Sequence, residues 1–73
     1  MQYRALFLVL TRAHPRRIPA VATIGVNTDG THTLDGVWAY LPGRQAVWTR
    51  SGEVFDLVAA AVRAEHAAEL EVA

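Results

Sequence analysis

The chain has no cysteine, no lysine and a single serine, and its longest hydrophobic runs are six residues. Without cysteine there are no disulfides, no thiolate metal sites and no thiol redox chemistry. The run Ala5 to Leu10, bounded by Arg4 and Arg12, is too short for a secretory h-region or a membrane span, so the expected compartment is the cytoplasm, with no membrane contact. Ser51 stands in TRSGE, which lacks the G-x-S-x-G turn of a hydrolase nucleophile. The glycines Gly25, Gly30, Gly36, Gly43 and Gly52 are scattered singly, which excludes a glycine-rich phosphate loop. Of the histidines at 14, 32 and 66, none has a second at ligand spacing. His66 and Glu69, with Glu65 adjacent, supply too few ligands for a metal site that needs three or four. Acid and base groups are few, and no two carboxylates stand out as a catalytic pair. The expectation is no catalytic residue, no cofactor, no metal and no enzyme activity.

What is present makes one domain, residues 1–73, near the lower size limit for a self-sufficient core: such a chain buries only about 60% of its unfolded surface. Of the usual supports for small domains, the lack of cysteine leaves oligomerisation or a partner. The hydrophobic fraction is 52%, but much of it is alanine and valine, which contribute little area each. With all seven basic residues arginine, this composition points to a high-GC bacterium or a phage. Formal net charge is zero, yet residues 1–50 carry six Arg against Asp29 and Asp35, and residues 51–73 carry Arg63 against five acids. The halves are +4 and −4. A nucleic-acid binder carries a basic excess, so the balance disfavours one. Head-to-tail association or a polarised face fits better.

Along the chain, Gln2 to Thr11 reads as a strand whose run Ala5 to Leu10 barely alternates, as in strands covered on both faces. One helix can cover only one face, so the other should meet a second subunit or another protein. Arg12 to Pro19 has three arginines and two prolines and is a loop; Arg12, Arg16 and Arg17 suit an anion or an acidic partner. Ile18 to Val26 alternates as a half-buried strand. Asn27 to Gly30 forms a three-residue hairpin loop with Gly30 left-handed and Asn27 opposite Thr31. A strand from Thr31 to Leu41 follows, with Asp35-Gly36 marking a bend or bulge. Pro42-Gly43 forms a turn, and Gln45 to Thr49 returns as a short strand. Pairing Leu41 with Arg44 sets Val47 beside Trp38 on one face and Trp48 beside Val37 on the other. Ser51 is the expected N-cap of a helix from about Gly52 to Leu70, with Val54, Leu57, Val58, Ala61 and Val62 on one arc and Phe55 at its margin. Glu65 and Glu69 end that apolar face near Ala64.

Asn27-Thr28-Asp29-Gly30-Thr31-His32-Thr33-Leu34, with Pro42 fifteen residues after Asn27, resembles the central motif of MbtH-like proteins over residues 27–42. The resemblance implies a three-stranded meander followed by a helix, and an activator of the adenylation domains of nonribosomal peptide synthetases. Asp35-Gly36 stands where that family has Trp-Pro, Thr31 where it has Gln, and Gln45 where it has a second Trp.

The expected fold is therefore α+β: a three- to four-stranded, mainly antiparallel meander with one C-terminal helix across the Trp38 face, and Trp38 in the core among Val47, Leu34 and Ile24. Trp48 then lies exposed with Val21, Val37 and Leu41, an apolar patch with an aromatic anchor. The expected function is a small, non-enzymatic protein-binding module, accessory or inhibitory, that self-associates as a homo-oligomer through the first strand or the Trp48 face. The alternatives are the MbtH-like activity and nucleic-acid binding through Arg12, Arg16 and Arg17.

Overall fold

The computed structural model describes the backbone of residues 1–72 and the side chains of residues 1–65. It is an α+β meander of four strands, β1 (Gln2–Val9), β2 (Ile18–Val26), β3 (His32–Ala39) and β4 (Val47–Thr49), followed by one helix, α1 (Glu53–Val72). The strands lie in sequence order, and every pair is antiparallel. Tight turns make hairpins of β2–β3 and β3–β4, and the loop 10–17 returns the chain so that β1 pairs with its sequence neighbour β2.

The β2–β3 turn forms as its residues require. Gly30 has φ 87°, a conformation that costs glycine little, and the Asn27 N–H donates to the Thr31 carbonyl at 2.8 Å. Asp29 braces the turn by accepting from the Thr31 hydroxyl at 2.6 Å and the Thr31 N–H at 3.0 Å. These two bonds hold its carboxyl below the ordinary value of 3.8. At the second turn Gly43 has φ 70°, and the Arg44 N–H donates to the Leu41 carbonyl at 3.2 Å. Pro19 sits in an inner strand without cost to the ladder. Its carbonyl accepts the Tyr40 N–H at 3.0 Å, so its missing donor is directed just past the end of β3 at Ala39.

The expected bulge is present, and it overturns the assignment of faces. Ile24 pairs with Leu34, but Thr23 pairs with Gly36, so Asp35 is an extra residue in β3. A one-residue slip reverses every following side chain. Val37 then pairs with Ala22 and Trp38 with Val21. The β3–β4 register also differs by one residue from that expected, with Trp38 opposite Trp48 and Ala39 opposite Val47. Trp38 is thus not a core residue beneath the helix, and the two tryptophans share a face. Val37, expected outside, is fully buried. Leu41 packs against the core, on the helix side.

The core lies between one sheet face and α1. It consists of Val9, Ile18, Ala20, Ala22, Ile24 and Val37 from the sheet and Val58 and Val62 from the helix, with Ala5, Phe7, Leu34, Leu41, Val54 and Phe55 packed around them. Ala20 and Ala22, fully buried in β2, let the helix approach the sheet. Each larger buried side chain contributes roughly 1.5–3 kcal/mol. Leu57, expected on the inner arc, is exposed. The helix starts one residue later than expected, since the Asp56 N–H donates to the Gly52 carbonyl at 2.9 Å. Gly52, at φ 95°, therefore takes the N-cap position expected for Ser51. His66 and Glu69 lie outside the residues whose side chains are described.

Candidate protein-binding face

Helix α1 covers one side of the sheet, and alternation along the strands decides what the other side presents. On β1 the pairs Ala5–Ala22, Phe7–Ala20 and Val9–Ile18 set Ala5, Phe7 and Val9 toward the helix. Gln2, Arg4, Leu6 and Leu8 consequently point away from it. Leu6, Leu8 and Leu10 are 65%, 55% and 57% exposed. The same parity gives Pro19, Val21 and Thr23 from β2, Trp38 and Tyr40 from β3 and its extension, and Trp48 from β4. One row crosses the whole sheet without interruption: Leu6 opposite Val21, Val21 opposite Trp38, Trp38 opposite Trp48.

The two indoles lie side by side, with ring centroids 5.4 Å apart at an interplanar angle of 56°, within the range of favourable aromatic pairs. Gly36 seats this pair. A β-carbon built there would fall inside the Trp48 ring, so only glycine lets the indole lie flat on the strand. Gly36→Val is expected to lift Trp48 off the sheet while the fold persists. Overpacking costs about 1–3 kcal/mol, toward the low end here because the partly exposed ring can swing aside. Loss of the near-ultraviolet dichroism of the coupled indoles, with far-ultraviolet dichroism unchanged, is the expected readout.

Polar groups collect at one end of this face. Asp35, turned outward by the bulge, accepts a hydrogen bond from Gln2 Nε2 at 2.8 Å. A shallow hollow there is lined by Gln2, Thr23, Asp35, Trp48 and Arg50. Arg4 lies one row further along β1, opposite Thr23, which is itself opposite Gly36.

Of the residues expected from sequence to bind a partner, Val21 and Trp48 stand on this face. Val37 and Leu41 do not, for the reason of register given above. The arginine loop is a separate feature. Arg12 Nε lies 3.7 Å from Glu53 Oε2, and the Arg12 N–H donates to Glu53 Oε1 at 3.1 Å, which ties the loop to the start of α1. Such an exposed pair adds little stability. Arg17 Nη1 donates to the Leu8 carbonyl at 3.4 Å, and Arg16 is exposed. Two of the three arginines are thus engaged by acceptors of their own chain. Within the loop, the buried Thr11 hydroxyl is 3.0 Å from His14 Nδ1, a contact that closes the turn.

Sequence reasoning put Trp38 on the wrong face and did not single out Tyr40, whereas the unbroken apolar run of β1 points to the uncovered face on which Leu6 and Leu8 stand. Among the described residues there is no group of three or more metal-ligating side chains, and no helix long and apolar enough to cross a membrane. No family model, curated protein or solved structure matches this chain.

Proposed function

We propose that this chain is a small, non-enzymatic protein-binding module of accessory or inhibitory type, which docks a protein on the open face of its sheet. The observation that carries the reading is the uncovered row Leu6, Val21, Trp38 and Trp48, spanning all four strands. Large contiguous apolar patches are rare on monomers and mark sites of interaction, and tryptophan is enriched among the residues that dominate binding energy.

The face carries its own reporter, because Trp38 and Trp48 are the only tryptophans in the chain. Occupancy should shift tryptophan emission to the blue. The test compares the wild type with Trp38→Asp, first checked for an unchanged far-ultraviolet spectrum. The wild type is expected to bind an apolar fluorescent dye or a protein, itself included, in a way that Trp38→Asp does not. If the folded variant binds the same species equally well, the face is not the docking surface.

A further inference from the structure

We infer that the occupant of the open face is a second copy of this chain, packed sheet against sheet about a two-fold axis that runs along β2; this rests on the reading of the face as a protein-docking surface. The face is self-complementary strand by strand. On its open side β1 presents one cation followed by leucines: Arg4, Leu6, Leu8. On its open side β3 and its extension present one anion followed by aromatics: Asp35, Trp38, Tyr40. The leucines and aromatics are level with each other, and Asp35 lies one row beyond Arg4, its carboxylate on Gln2. Leu6 and Trp38 both lie opposite Val21, Leu8 and Tyr40 both flank Pro19, and Arg4 and Gly36, next to Asp35, both lie opposite Thr23.

Because β1 and β3 are the two neighbours of β2 and run in the same direction, rotation about an axis along β2 lays β1 of each copy over β3 of the other without changing level. Leu6 then meets the second copy's Trp38, Leu8 meets its Tyr40, and Arg4 reaches its Asp35; each contact occurs twice, as a closed isologous interface requires. Stacked sheets stand about 10 Å apart, a gap that an arginine and an aspartate span together. Trp48 falls outside this overlap, flanking the free edge of the second copy's β1, and Arg50 lies on the same flank.

Three strands about 4.8 Å apart, with up to eight residues at about 3.3 Å each, overlap over roughly 380 Å² per copy. The pair buries roughly 760 Å² before side-chain relief is counted, the size of a weak, transient interface.

The decisive experiment is complementation between two charge reversals. Arg4→Asp alone sets carboxylate against carboxylate at both contacts of a homodimer, and Asp35→Arg alone sets guanidinium against guanidinium. Each variant is expected to dimerise at least tenfold more weakly than the wild type, since like charges across an interface are strongly unfavourable. Mixed in equal amounts, they form a heterodimer in which both contacts are opposite in sign, and association should return. Sedimentation velocity over a concentration series reads the result, with thermal melts confirming that both variants fold. Arg4 is exposed on an edge strand, so Arg4→Asp is the safer of the two.

A wild type that stays monomeric at high concentration, or a mixture that remains monomeric, overturns the two-fold pairing. If that monomer still binds apolar dye and Trp38→Asp does not, the docking face stands and only its occupant is wrong. If dimers form and persist through Arg4→Asp, Asp35→Arg and Trp38→Asp alike, association runs through the β1 edge and both readings fail.

Discussion

Val37→Asp is expected to leave the protein unfolded at room temperature, while Trp38→Asp, one residue along the same strand, is expected to leave it folded. Val37 is 0% exposed, opposite Ala22 in the middle of the sheet and packed in the cluster that contains Val58 and Val62. No hydrogen-bonding side chain belongs to that cluster. A carboxylate there would lose its hydration with nothing in return, at an effective cost of several kcal/mol beyond the lost apolar contact. At about 0.05–0.15 kcal/mol per residue, the whole fold is stable by only roughly 4–11 kcal/mol. Trp38 is 38% exposed on the open face, where an aspartate stays in water. Far-ultraviolet dichroism of the two variants separates the possibilities. If Val37→Asp melts like the wild type and Trp38→Asp does not fold, the bulge at Asp35 has been placed on the wrong phase.

Ile24→Ala should be the most damaging of the purely apolar truncations. Ile24 is among the largest fully buried side chains, and it is the first residue of β2 past the bulge, opposite Leu34 and Tyr3. Truncating a buried isoleucine typically costs about 2–5 kcal/mol, the larger values arising where the surroundings cannot collapse into the cavity. The bulge pins the backbone beside this site, which limits such collapse. A domain of this size loses roughly 4–8 °C of Tm per kcal/mol, so a fall of at least about 10 °C is expected by scanning calorimetry at low concentration. A drop of less than about 3 °C would mean that Ile24 is not a centre of the core. Measurement at low concentration matters, because association stabilises the folded state by mass action.

Asp35 decides which side of the sheet every later residue of β3 takes. Asp-Gly inside a strand marks a bulge, but the pattern alone does not say whether the extra residue leaves the following side chains in phase. Both answers give an acceptable alternation. With no bulge Trp38 would join Ile24 and Leu34 under the helix; with one, Val37 does. The second arrangement prevails because a valine, flanked by Ala20, Ala22 and Ala39, fits the thin gap between sheet and helix, which a tryptophan would force apart. Its consequence is that both tryptophans and Tyr40 gather on the face that the helix does not cover. The bulge moved Val37 and Leu41 to the helix side and left Val21 in place, while Trp48 kept its side because the β3–β4 pairing is also shifted by one residue.

The amino-acid sequence by itself determined the meander of β2 to β4, the two hairpin turns, the single helix and the imbalance between two apolar sheet faces and one covering element. These follow from local rules: glycine and proline at turns, alternation along strands, a run of helix-forming residues at the end. Only the tertiary structure decided which residues face outward, because one extra residue in β3 reverses every side chain after it and its energetic preference is set by packing against α1. The open face, its tryptophan pair seated on Gly36, and the level correspondence of Leu6 and Leu8 with Trp38 and Tyr40 all depend on pairings between residues far apart in the chain.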